Sequence, residues 1–355
     1  MRPDRDRLRP ARARAAGGTR PARLGYDAGV ILAGDVGGTK TQLALIEPGD
    51  PIRSPRARRR FASREHDSLE TLVEAFLAEA GGRPTRAVIG IAGPVVDNRC
   101  ETTNLPWTMS GERLSRTLGG APVTLLNDLV TTAWGLGELG GDDLVVLQAG
   151  NPAPGNRALI AAGTGLGEAL LVRDGERWLP SPSEGGHTDF AATNEFEDGL
   201  LRWLRRRYER VSYERVLSGP GLTDLHRYHR EAGIGDEPPA FAASFDAADD
   251  PAATVTRAAL DGSCGRARAA LDRFCEIYGA EAGNLALKAL AVGGVYLAGG
   301  IAPKIVESLA AGGFLEAFCN KGRLSPLLSD IPVAVVLDEH TSLWGAARVA
   351  LGSAR

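Results

Sequence analysis

Val30-Ile31-Leu32-Ala33-Gly34-Asp35-Val36-Gly37-Gly38-Thr39-Lys40, followed by the alternating apolar residues Leu43 and Leu45, is the stretch that orders the rest of the chain. The apolar run reads as a strand, the glycines as a turn and the alternation as a second strand. Backbone N–H groups in such a loop, Gly34 to Thr39, have no Cβ in the way and turn towards an anion such as a nucleotide phosphate. Asp35 adds a carboxylate suited to the water shell of a magnesium ion. Alone, the loop reads equally well as a structural hairpin, because it matches neither GxxxxGK[ST] nor GxGxxG.

Two more glycine turns follow apolar runs further along. Ala158 to Ala162 leads into Gly163-Thr164-Gly165-Leu166-Gly167, and Gly294 to Leu297 leads into Ala298-Gly299-Gly300-Ile301. The likeness of the first two junctions points to a duplicated unit. Together the three turns read as walls of a nucleotide cleft, two for phosphates and one permitting close approach of the adenosine. Other short apolar runs lie at Ala87 to Ala92, Val123 to Leu126, Leu144 to Leu147 and Val333 to Leu337, and helical segments alternate with them. One such helix starts from Asp67, with Leu69, Leu72, Val73, Phe76 and Leu77 on one face and Asp67 as its cap, Glu70 three residues on. This alternation is that of an α/β fold.

Chemistry collects at strand ends. Asn127-Asp128 closes the apolar run Leu125-Leu126, the position ligand groups take in α/β folds, and an aspartate there is placed to accept a proton from an attacking hydroxyl. A helix cap for the segment from Leu129 is the alternative reading of Asp128. Ser183-Glu184-Gly185-Gly186-His187-Thr188-Asp189 packs two carboxylates and an imidazole around two glycines, a density suited to a polyol whose hydroxyls both donate and accept. Zinc competes weakly there, since no second His or Cys is near. Glu214, in Tyr213-Glu214-Arg215, reads as an ordinary exposed helix charge.

Composition narrows the class. The 355 residues are 43% apolar and 24% charged, globular values with material for two domains. Cys100, Cys264, Cys275 and Cys319 form no CxxC or zinc-knuckle spacing, which argues for a reducing, cytoplasmic setting rather than a disulfide framework. The longest uncharged apolar or glycine run, Ala289 to Ala302, is short of the ~20 residues of a membrane span. Net charge is −3, but eight Arg against three Asp give residues 1–28 a charge of +5 and leave −8 on the rest. A mildly acidic body argues against a nucleic-acid partner. Residues 1–28, rich in Arg and Pro without apolar periodicity, read as a disordered extension. In Gly199 to Arg210, Leu200, Leu201, Leu204 and Tyr208 mark one face and four Arg another, most simply a solvated surface.

These strings, with Thr103-Asn104-Leu105-Pro106-Trp107 and Glu214-Arg215-Val216-Leu217-Ser218-Gly219-Pro220-Gly221, resemble the bacterial glucokinases of the enteric type, from about residue 30 to the end. The resemblance implies two RNase H-like α/β domains of the hexokinase, actin and heat-shock-70 ATPase fold with a cleft between them. The expected division is a small domain of 29–137 plus 333–355, including a returning helix near 341–352, and a large domain of 138–332. It implies ATP and Mg²⁺ as cofactors and glucose held by Asn127, Asp128, Glu184, His187 and Glu214, with Asp128 the base for the 6-hydroxyl. Gly34, Asp35, Val36, Gly37, Gly38 and Thr39, with Gly163, Thr164 and Gly165, would bind phosphates, Gly299 and Gly300 would lie beside the nucleoside, and the chain would be a homodimer. Two departures stand out. Lys40 replaces the usual Asn of enteric glucokinases, as in the related ROK sugar kinases, and this slightly favours polyphosphate as a donor. The ROK zinc signature is absent, the first cysteine after His187 being Cys264. Rival readings are a kinase for another hexose and a non-catalytic sugar-sensing regulator; the latter usually carries a DNA-binding module, and 1–28 are too short and Pro-rich to form one.

Overall fold

The structure, a computed structural model, describes residues 29–101 and 105–352; the extension 1–28, residues 102–104 and 353–355 lie outside the described residues. Thirteen strands are described: β1 Ile31–Val36, β2 Lys40–Ile46, β3 Ala57–Ala62, β4 Arg86–Ile91, β5 Arg99–Glu101, β6 Thr108–Ser110, β7 Val123–Asn127, β8 Leu144–Gln148, β9 Arg157–Ala162, β10 Leu166–Asp174, β11 Arg177–Ser183, β12 Val295–Ala298 and β13 Val333–Val336. They form one sheet in the order β3-β2-β1-β4-β7, a second in the order β11-β10-β9-β12-β13-β8, and the hairpin β5-β6.

The duplication legible in the glycine turns is present in the pairing. In the first sheet β1 is antiparallel to β2 and parallel to β4, which is parallel to β7. In the second, β9 is antiparallel to β10 and parallel to β12, which is parallel to β13, with β8 added at the edge.

Both faces of the first sheet are covered, which is why its strands read as unbroken apolar runs. Alternate side chains of β1 go to opposite faces: Leu32 and Val36 pack with Leu72, Val73 and Phe76 of the helix Leu69–Ala80, and Ile31 and Ala33 pack with Leu343, Trp344 and Ala347 of the helix Thr341–Ala350. Each large side chain so buried contributes roughly 2 kcal/mol before entropy is counted. Ser68, not Asp67, caps the first of these helices, its Oγ accepting Thr71 N–H at 3.2 Å. A Ser hydroxyl reaches that N–H as well as a carboxylate does.

One boundary moves. Val333–Val336 pairs with β12 and β8 in the second sheet, so the chain returns to the first sheet only with the helix Thr341–Ala350, not from residue 333. That helix crosses the helix Asp128–Gly135 at close range because Gly345 and Gly135 lie at the contact: a Cβ on Gly345 would collide with the Thr131 carbonyl, and one on Gly135 with that of Thr341. The close crossing brings Ser342 Oγ to 2.8 Å from Thr131 Oγ1.

Candidate active site

Asp35 and Asp128 reach one cavity of about 420 Å³ from different elements, and Gly299, Gly300, Lys40 and Glu339 also line it. β1 carries Asp35; its Oδ1 accepts Ser342 Oγ–H at 2.8 Å. Asp128 opens the helix after β7, and Asn127 caps that helix, its Oδ1 accepting Leu129 N–H at 2.9 Å. The cap is therefore the neighbour of Asp128, whose carboxylate faces the cavity, although its Oδ1 also lies 2.9 Å from Leu129 N. Asn127 Nδ2 donates to the Gly93 carbonyl at 3.2 Å. Thr131 Oγ1 lies 2.9 Å from the Asp128 carbonyl and 2.8 Å from Ser342 Oγ, so hydroxyls connect the two aspartates through the helix crossing.

Both aspartates are shifted upward. Burial, then the Asp35 charge and that of Glu184, push the Asp128 carboxyl up to about 7, against the Leu129 N–H, which pulls it down. Burial raises Asp35 too, while the Ser342 hydroxyl and the Lys40 ammonium oppose the shift. A carboxyl that ionises near neutrality, in a cleft, is what a general base needs.

The three glycine turns do not contribute alike. Gly34 and Val36 stand inside β1, buried and paired with β2 and β4 on either side, so the part of the first loop open to a phosphate narrows to Gly37–Thr39. Ser63 braces it, its Oγ donating to the Gly37 carbonyl at 2.8 Å and its N–H to that of Thr39 at 3.0 Å. Gly163 and Thr164 line a second cavity of about 840 Å³, which shares Gly300 and Lys304 with the first. Gly299 has φ +82°, and a Cβ there would strike the Ala162 carbonyl; this turn closes only with glycine.

Glu184, His187 and Glu214 form a neighbouring cluster. His187 Nδ1 lies 3.9 Å from Glu214 Oε1 and His187 Nε2 lies 4.0 Å from Glu184 Oε2. Glu214 is not the exposed helix charge its sequence suggests. It sits in a one-turn 3₁₀ segment, its side chain is 29% exposed, and its Oε2 accepts Leu166 N–H at 3.0 Å. Its mark in the sequence was elsewhere: a Cβ on Gly165 would collide with Glu214 Oε2, so the second glycine turn makes room for it. Glu184 and His187 are 68% and 56% exposed, leaving their polar atoms open to a ligand. Thr103 and Asn104 lie outside the described residues, while Leu105 and Trp107 are buried. Among the described residues no three His, Cys, Asp or Glu gather as a metal centre, and no helix is long and apolar enough to cross a membrane.

The chain is similar to known proteins over most of its length. A glucokinase of Nostoc sp. is 40% identical over 334 residues, covering 90% of this chain and 98% of its own. The crystal structure of a glucokinase from an Antarctic psychrotroph is 31% identical with a TM-score of 0.78, over 91% of this chain and 99% of that one. A ROK-family glucokinase from Streptomyces griseus, solved with glucose and AMPPNP, shares the fold at 21% identity and a TM-score of 0.62, covering 91% and 99%. With two sheets of repeated topology, the cavity that Asp35, Asp128, Gly299 and Gly300 line, and a glucokinase family profile that matches residues 32–353, the chain belongs to the glucokinase family.

Proposed function

We propose that this cleft transfers the γ-phosphoryl group of ATP to the 6-hydroxyl of glucose, with Asp128 as the base. Its placement carries the reading: a carboxylate at a strand end, ionising near neutrality and lining the cavity that Asp35, Lys40, Gly299 and Gly300 also line. Asn127, Glu184, His187 and Glu214 hold the sugar hydroxyls, and their mix of donors and acceptors suits a polyol. As the 6-oxygen attacks, the O6–Pγ bond forms, the bond from Pγ to the bridging oxygen breaks, ADP leaves, and the hydroxyl proton passes to Asp128. Positioning and neutralisation of charge supply most of the acceleration in such a loose transition state.

Gly37–Thr39 and Gly163–Gly165 receive the phosphates, and Gly299 and Gly300 sit beside the nucleoside, with Gly300 at the junction of the two cavities. Asp35, an oxygen donor in the cleft, would hold the Mg²⁺ that accompanies ATP, and the ion would supply neutralisation of phosphate charge. Water must be kept from attacking ATP in place of the sugar. The unit 29–137 with the helix Thr341–Ala350 closes on the unit carrying β8 to β13, so that glucose assembles the site. The enzyme works in the cytoplasm, in keeping with four free thiols, and as a homodimer, which light scattering tests.

A coupled assay with MgATP across glucose, mannose, fructose, glucosamine and N-acetylglucosamine, with a sugar-free ATPase control and polyphosphate as an alternative donor, tests the reading. Preference for glucose and ATP is expected. Glucose binding without turnover on any sugar would move the chain to the sensing class.

A further inference from the structure

Lys40 opens β2 directly after the Gly37–Thr39 turn, and its Nζ donates to Glu339 Oε2 at 2.8 Å. Both side chains line the 420 Å³ cavity. The main chain around Glu339 is fixed. Asp338 Oδ1 accepts His340 N–H at 2.9 Å, its carbonyl accepts Thr341 Oγ1–H at 2.7 Å, and its Oδ2 accepts Trp344 Nε1–H at 2.8 Å. The Glu339 side chain is not fixed in this way. It is 53% exposed, its partners are Lys40 and, at 3.8 Å, Arg60, and Lys40 holds its carboxyl below the usual range. A carboxylate at the wall of a cavity for a triphosphate repels the ligand, yet this one also occupies the cation nearest the phosphate turn.

We propose that Lys40 binds the phosphates of the nucleotide and that Glu339 is a built-in competitor for it: the ion pair holds Lys40 in the empty site and is exchanged for phosphate when nucleotide enters. An ion pair this exposed is weak, so a multiply charged triphosphate making charge-assisted hydrogen bonds displaces it, whereas a lone small anion has less to offer. Glu339 thereby sets ATP affinity and raises the threshold for other anions. The inference rests on reading Gly37–Thr39 and Gly299–Gly300 as the phosphate and nucleotide walls.

The test is calorimetric titration of the full chain with MgATP's imido-bridged, non-hydrolysable analogue, with glucose titrated separately. Lys40→Met is expected to weaken nucleotide binding at least ~10-fold, the scale of a lost charge-assisted bond. Glu339→Gln is expected to tighten it about two- to fivefold, the scale of an exposed ion pair. Glucose affinity stays unchanged in both, and the Glu339→Gln gain disappears in the Lys40→Met background. Nucleotide binding by Lys40→Met within twofold of wild type, weaker or unchanged binding by Glu339→Gln, or an undiminished gain in the double variant would each overturn the proposal. Gly300→Val separates this from the underlying reading. Gly300 lines both cavities and a Cβ there meets nothing within 4 Å, so the new side chain starts in open space at their junction. Binding lost in Gly300→Val but kept in Lys40→Met overturns only the role of Lys40; binding kept in both overturns the placement of the nucleotide as well.

Discussion

Asp128→Asn should inactivate the enzyme and make it more stable, and the two effects have one origin. The fold moves this carboxyl from 3.8 to about 7, roughly three pKa units, or ~4 kcal/mol between its protonation states. The shift is upward, so between about pH 4 and pH 7 the folded chain binds more protons here than the unfolded chain does. Stability therefore falls as pH rises through that window, and the deficit is complete above 7. Asp128 lines the 420 Å³ cavity rather than being sealed in the core, and screening there reduces the cost to about half, ~2 kcal/mol. Asparagine keeps an oxygen for the Leu129 N–H and drops the charge. Urea unfolding at pH 8 should show a gain of ~2 kcal/mol with an unchanged m-value, and the gain should shrink below pH 5.5, while turnover falls by ~10²–10⁴. A variant no more stable than wild type at pH 8, or equally stabilised at both pH values, would refute the reasoning, and retained turnover would remove Asp128 as the base.

Three further outcomes follow from the same contacts. In wild type, kcat/KM should rise through pH ~7 as Asp128 ionises, and Asp35→Asn, which removes the stronger of the two charges repelling it, should move that limb to lower pH in whatever activity remains; a limb that stays put would sever the two carboxylates. Gly345→Ala should cost several kcal/mol in thermal or urea unfolding, because the new Cβ meets the Thr131 carbonyl where two helices touch; a loss under 0.5 kcal/mol would mean the crossing relaxes freely. Glu214→Gln should raise the KM for glucose while leaving the KM for ATP less affected, and equal effects on both would contradict the assignment of Glu214 to the sugar.

The strands were legible because both faces of each sheet are covered, which writes them as short apolar runs: Ala87 to Ala92 became β4 and Val123 to Leu126 became β7. Asp128 was legible for a related reason, since a polar pair at the end of such a run has to face a ligand or cap a helix, and here Asn127 does the capping. What sequence hid was set by distance along the chain. Glu214 reads as solvent-exposed until Leu166 N–H and Gly165 are brought against it from 48 residues away. Gly34 looks like part of a phosphate loop until β2 and β4 close on it. The pairing of Lys40 with Glu339 spans 299 residues and leaves no local pattern at all.

The location of the site follows from where the chain passes between sheets. It leaves the first sheet after β7 through the helix Asp128–Gly135 and comes back after β13 through Leu337–His340. Asp128 begins the first passage and Glu339 lies in the second. These passages are fastened together: Leu337 N–H donates to the Asp143 carbonyl at 2.8 Å, and the Arg53 guanidinium reaches both Asp143 oxygens, at 2.6 and 2.8 Å, and Asp338 at 3.2 Å. Arg348 adds a bond to Glu138 at 2.9 Å. In the proposed closure, the fastened double passage is the fixed side of the cleft and the opposite edges are those that approach. Under the closure proposed here, Asp128 and Glu339 therefore lie next to the axis and move least, while the turns that hold phosphate and the loops that hold sugar travel towards them. A base kept near the axis retains its geometry through each cycle of opening, and this is the arrangement a reaction dependent on positioning requires.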